Sequence, residues 1–137
     1  LFRSPRERPS LRAQVLEMRQ KMRDGHPNAS GLFDLKHDAG GLVDVEFAVQ
    51  YLVLAHAADH PELTANVGNI ALLKRAAGLG LVPEAVAGPA ADAYRELRRH
   101  QHAVHLQGAE HARLPADAVA APAQAVQALW RAVFAES

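Results

Sequence analysis

The stretch from Phe33 to Phe47 most constrains what this chain can become. It reads Phe-Asp-Leu-Lys-His-Asp-Ala-Gly-Gly-Leu-Val-Asp-Val-Glu-Phe. That order predicts a short extended segment, a sharp turn at Gly40-Gly41, and a helix opening at Gly41 or Leu42 and running to about residue 59. At about 100° per residue, Leu42, Val45, Val49, Leu52 and Val53 form one apolar stripe, and Phe47, Leu54 and Ala58 form a second. A helix apolar on two sides is central, with neighbours on both. Asp44, Ala48, Ala55 and Asp59 make its narrow polar or small sector. Glu46 and Gln50 are i, i+4 neighbours beside the first stripe, so both are expected to be at least partly buried. A buried carboxylate needs a donor or a cation, and Arg98, His102 or the turn amides are the candidates for Glu46. Asp44 falls in the first helical turn, where it complements the helix dipole and can accept from free amides. Asp44 and Glu46 lie about 200° apart around the axis, so they cannot act as a carboxylate pair.

The rest of the chain is helical in pattern. Residues 1–9 read as an exposed lead-in, and 10–137 as one helical domain of a longer protein. Ser10 is a candidate N-cap for a helix whose stripe is Leu11, Val15, Met18 and Met22, ended by Gly25 and Pro27. Phe33 to Lys36 alternates like a short strand, yet no second strand pattern exists to pair with it. His60-Pro61 breaks the central helix. Asn69 is a candidate N-cap for Ile70 to Leu79. Pro89 is expected to split the next region into a short turn and a helix from about 90 to 107, with Ala90, Ala93, Tyr94, Leu97, Gln101 and Val104 inward. Gly108 to Asp117 reads as a loop. Pro122 begins a last helix with Val126, Leu129, Trp130 and Val133 inward. The expected fold is all-α, an antiparallel bundle of four to five helices with a short extended segment at 33–36.

Composition agrees and narrows the function. Aromatics are only 5% of the 137 residues, while the hydrophobic fraction is 49%. That balance favours helices over sheets. The formal charge is zero, from 15 basic and 15 acidic residues, so no overall field draws the chain to nucleic acid or an anionic membrane. There are no cysteines, which excludes disulfides and thiolate metal sites and suggests a cytoplasmic setting. The apolar run from Phe47 to Ala58 is too short to span a bilayer.

Three segments carry a family resemblance. Phe33-Asp34-Leu35-Lys36, Gly40-Gly41-Leu42-Val43-Asp44-Val45-Glu46-Phe47 and Gln50-Tyr51-Leu52 resemble the helical region of bacterial glutamine synthetase adenylyltransferase. A related pattern occurs in the uridylyltransferase that modifies the PII signal protein. Leu63-Thr64 with Asn69-Ile70 and Gly78 to Pro83 resemble the next helix and its exit. Tyr94-Arg95-Glu96-Leu97-Arg98-Arg99 with His102 resembles the tyrosine-leucine-arginine-arginine-histidine helix. The likeness covers about residues 10–135. Two positions depart from the pattern: Gln101, where glutamate is frequent, and His105, where glutamine is common.

The resemblance implies a nucleotidyltransferase that attaches AMP from ATP to a tyrosine of glutamine synthetase, removes it by phosphorolysis, and so regulates nitrogen assimilation. ATP and magnesium belong, by the same implication, to a catalytic domain with an aspartate-x-aspartate pair. This sequence has no such pair. It resembles the C-terminal helical domain that partners the catalytic unit, of the nucleotidyltransferase substrate-binding-domain type. No catalytic residue is therefore expected here, and no resident cofactor. The implied partners are the upstream catalytic domain, glutamine synthetase and the PII protein. The alternatives are a free-standing helical interaction module and the equivalent domain of the PII uridylyltransferase.

Lys36 is the candidate contact to nucleotide phosphate or substrate, against the simpler reading of a solvated lysine at a strand end. Gly40, Gly41, Asp44, Glu46, Gln50, Arg98 and His102 are candidate structural or interdomain residues. Gly40-Gly41 could cradle an anion, although a tight turn explains the pair equally well. His56 with His60 and His102 with His105 have helical spacing, but neither pair has the companion carboxylates or cysteines of a metal site. His102 as a phosphorelay histidine is disfavoured, because its position adjoins the expected core.

Overall fold

The computed structural model describes residues 8–135. Among them are five α-helices: α1 (Arg8–Asp24), α2 (Leu42–His56), α3 (Asn69–Gly78), α4 (Glu84–Leu106) and α5 (Ala120–Phe134). Single 3-10 turns, Pro61–Thr64 and Ala116–Val119, precede α3 and α5. The all-α expectation holds, with α2 against α1, α3, α4 and α5 as a central helix must be.

Helix α1 begins at Arg8, ahead of the expected Ser10 cap; the rest of the expected lead-in, residues 1–7, lies outside the described residues. Its inner face also differs. Leu11, Val15 and Arg19 are buried, and Met18 is 60% exposed. The contact face is centred close to Val15, so it takes in Arg19 and turns Met18 outward. The reason lies on α2: Asp44 waits there as the partner of Arg19. At the other end, Arg8 Nε donates to the Ala55 carbonyl at 2.8 Å and Arg8 Nη2 to Asp59 at 3.0 Å. Helix α1 therefore runs antiparallel to α2 and grips its Asp44–Asp59 sector at both ends. That sector is covered rather than solvated, and Ala48 and Ala55 within it are almost fully buried. Small side chains permit the close approach. The second apolar stripe is less covered than expected: Phe47 and Leu54 are half-buried, and Ala58 is exposed.

The extended arm does have a partner. Strand β1 (Phe33–Asp34) pairs antiparallel with β2 (Arg113–Leu114), Phe33 opposite Leu114 and Asp34 opposite Arg113. Two residues are too few for an alternating pattern, which hid β2 inside the Gly108–Asp117 loop. The side chains fix the register, with Arg113 Nε donating to Asp34 Oδ2 at 3.2 Å.

Helix α4 runs unbroken through Pro89, contrary to the expected split. Proline here forfeits the bond to the Ala85 carbonyl. Ala85 and Pro89 are both exposed, so the loss falls at the surface near the helix start, where an unpaired carbonyl costs little. Helix α3 is entered from Gly68, with Asn69 as its first residue rather than its cap. Helix α5 starts before Pro122, which sits in its first turn. Leu35, Leu73, Leu97, Val126 and Leu129 are fully enclosed in the shared core.

Candidate functional site

The double glycine joins the arm to α2 by close packing. Gly40 has φ +93°, and a Cβ there would stand 2.8 Å from the Ala123 carbonyl oxygen on α5. A Cβ on Gly41 would stand 2.7 Å from the Leu35 carbonyl oxygen. Neither position has room for a side chain. The amides of the turn are engaged: Gly40 donates to Asp44 Oδ2 at 2.8 Å, Gly41 to the Asp38 carbonyl at 2.9 Å, Leu42 to that of Leu35 at 2.8 Å, and Val43 to that of Lys36 at 3.0 Å. The turn thus uses its own donors and leaves none of these four amides for an anion.

Asp44 is 3% exposed and accepts from Arg19 Nε at 2.5 Å as well as from the Gly40 amide. Arg19, equally buried, also donates through Nη2 to the His37 carbonyl at 2.6 Å. One guanidinium thereby ties α1 to the arm and to the start of α2. The His37 ring stacks on His26 with centroids 3.9 Å apart. Burial lowers the His37 pKa, and the neighbouring His26 lowers it further.

The arm holds Lys36 from both sides. Asp34 Oδ1 accepts from the amides of Lys36 at 3.0 Å and His37 at 2.9 Å. Burial opposes ionisation of Asp34, but those two amides and Arg113 outweigh it and keep its pKa below the ordinary 3.8. With its amide held by Asp34 and its carbonyl by Val43, Lys36 has a fixed backbone and an exposed side chain.

That side chain lines a cleft of ≈ 330 Å³ together with Leu42, Glu46, Tyr94, Arg98 and Gln101. Glu46 accepts from the Tyr94 hydroxyl at 2.9 Å, and Asn69 offers its amide to that oxygen at 3.4 Å. Burial and then Glu46 raise the Tyr94 pKa, so the phenol stays a donor. Arg98 lies over the Tyr94 ring, 5.8 Å from its centroid. The partner of Glu46 is therefore Tyr94, not Arg98, His102 or a turn amide. Lys36, Glu46 and Arg98 surround the opening, yet no ion pair joins them among the described residues. Two cations and a carboxylate held apart around a cleft can each address a different part of a bound polar ligand.

Of the other candidate residues, Gln50 is exposed, against the expectation of burial, because α2 turns that position outward between its neighbours. His102 is also exposed and sits on the outer side of α4, not against the core. Two residues of consequence escaped the sequence reading. Arg19 was discoverable by following Leu11 and Val15 one further step of four. Tyr94 reads from the sequence as an inward residue of a family-like helix, with no partner assigned to its hydroxyl, although a buried hydroxyl needs one. A larger cavity of ≈ 520 Å³ lies beside Arg8, Arg12, Tyr51 and His56. Its two arginines are already bonded, Arg8 to Ala55 and Asp59 and Arg12 to the Phe134 carbonyl.

The described residues contain no group of three His, Cys, Asp or Glu suited to a metal. Asp34, Asp44 and Glu46 are bonded separately to Arg113, Arg19 and Tyr94, so they do not converge on a common point. Magnesium does not fit this residue set. No described helix is long and apolar enough to cross a membrane.

Fold and cleft together define a helical-bundle domain with a charged groove beside its glycine turn. The chain belongs to the GlnD PII-uridylyltransferase family, whose model matches residues 10–134. Its individual relatives are named bifunctional glutamine synthetase adenylyltransferase/adenylyl-removing enzymes. The one from Bordetella bronchiseptica is 54% identical over 95% of this chain, and that from Aromatoleum aromaticum 54% over 98%. The relative from Burkholderia mallei is 52% identical over 96%. The chain spans 14% of the length of each of these three.

Proposed function

We infer that this chain is the helical domain of a glutamine synthetase adenylyltransferase and adenylyl-removing enzyme. In this reading the whole protein moves AMP between ATP and a tyrosine of glutamine synthetase, in the cytoplasm, with ATP and magnesium held by a separate catalytic domain. The helical domain faces that domain with the Lys36 end of the arm, which the buried glycine turn and start of α2 hold in place. It presents its outer surface to glutamine synthetase or to the PII protein. The names of the relatives favour this over the PII uridylyltransferase, which shares the family and remains the second reading because the family model carries its name.

The observation that carries the proposal is Lys36: a solvent-facing cation on a rigid backbone, at the mouth of a cleft whose other charges do not neutralise it. Its role is to hold a phosphate of the nucleotide as a point charge. In the whole protein, Lys36→Ala should raise the KM for ATP by about ten-fold or more, since one charge-assisted contact is worth about 1.5–3 kcal/mol. The melting temperature should not move. An unchanged KM for ATP overturns the assignment of Lys36. The 137-residue chain alone should transfer no AMP to glutamine synthetase, and measurable turnover would overturn its accessory role.

A further inference from the structure

A second concavity lies on the other side of Arg98. It has a volume of ≈ 470 Å³ and is lined by Ile70 from α3 and by Arg95, Arg98, Arg99 and His102 from α4. The chain has no net charge, so four basic side chains around one hollow are a local concentration rather than part of a basic surface. Their commitments differ. Arg95 is steadied by Asp92 at 2.9 Å, and Arg98 by the Tyr94 ring. Arg99 has no ion-pair partner among the described residues.

The spacing selects the occupant. Arg95 and Arg99 are four residues apart on one helix, as are Arg98 and His102, so each pair is separated by about 6 Å along the axis. Alternate residues of an extended peptide are about 6.6–6.8 Å apart and point the same way. Carboxylates at every second residue of such a segment would meet successive donors along α4. Guanidinium groups bind carboxylates through two parallel bonds, which favours arginine over lysine at such positions. Ile70 adds an apolar floor that suits a polypeptide better than a lone phosphate. The geometry points to this concavity as the docking site for an extended acidic segment of a partner protein. The proposal stands independently of the nucleotide role of Lys36.

Fluorescence anisotropy on the full chain would use a labelled decapeptide of alternating glutamate and threonine, with the glutamine-threonine peptide as its uncharged control. The acidic peptide should bind, and the control should not. Arg99→Glu should weaken binding about ten-fold, and Arg99→Lys about three-fold, because the charge stays and the fork is lost. Arg131→Glu, on exposed α5 surface and not lining the concavity, should change it less than about two-fold, since a solvated charge outside the site is largely screened by salt. Equal binding of the two peptides overturns the proposal. So does a loss in Arg131→Glu as large as that in Arg99→Glu, which would mean a general field. Displacement of the acidic peptide by tripolyphosphate at lower concentration than by unlabelled peptide also overturns it, in favour of a phosphate site.

Discussion

Asp44 and Glu46 stand two residues apart on α2 and have opposite fates. Asp44 is enclosed, bonded to a buried arginine and to the glycine-turn amide. Glu46 is half-buried, held by one phenol, and open to a cleft that also contains Lys36 and Arg98. The same residue class thus builds a joint on one face of the helix and a polar opening on the other. On the enclosed face both Asp44 oxygens are engaged, while Nη1 of Arg19 and Nδ1 of His37 are buried there without a partner among the described residues; on the face available for ligand Glu46 has a single donor. Saturation rather than acidity separates the structural carboxylate from the available one.

The largest effect should come from breaking the enclosed side. Arg19→Met leaves Asp44 buried without its cation, and should cost about 3–5 kcal/mol in urea unfolding. Replacing both residues, as Arg19→Met with Asp44→Leu, should recover part of that loss. Full recovery is not expected, because the Gly40 amide also loses its acceptor. If the single variant is as stable as the parent, the joint is not where the structure puts it. Next, Gly40→Ala and Gly41→Ala should each cost about 1–3 kcal/mol, one through its left-handed φ and both through backbone contact. Thermal melts compared with Gly88→Ala, where a Cβ meets nothing within 4 Å, would show whether the crowding is real.

Acid should sharpen the contrast between the two sides. His37 and His56 both have pKa values below 6.5, each first because of burial. The unfolded chain therefore binds protons before the folded one as pH falls. Their contribution to stability is full above pH 6.5 and is lost as pH drops from there toward the folded values. Melting temperature should fall between pH 7.5 and 5.5, and less so in His37→Asn. Asp34 has the same sign at lower pH: its depressed pKa adds stability above 3.8 that is lost as pH falls through the folded value. The smallest effect belongs to the open side. Tyr94→Phe removes one donor from Glu46 and should cost about 0.5–1.5 kcal/mol. A cost near that of Arg19→Met would erase the distinction between the two faces.

Much of the bundle was legible because periodicity is a local property. The central helix, the apolar α4 face around Leu97, and the inward Val126 and Leu129 follow from spacing alone. The separation of Asp44 from Glu46 follows too, since residues two apart on a helix cannot share a face. The site was less legible, because its partners are remote in sequence. Glu46 meets Tyr94 across 48 positions, and Asp34 meets Arg113 across 79. No local pattern announces such pairs.

The sequence by itself determined the helices, the tight turn, the absence of thiol chemistry and the exposed position of Lys36 at the arm's end. Only the tertiary structure decided which polar residues are spent on the fold. It put Arg19 inside and Met18 outside, paired a two-residue strand within a loop, carried α4 through Pro89, and turned Gln50 and His102 to solvent. The physical reason is the same in each case. A buried charge or backbone group must find a partner wherever the chain brings one. That choice depends on which helices meet, which spacing within one helix does not encode.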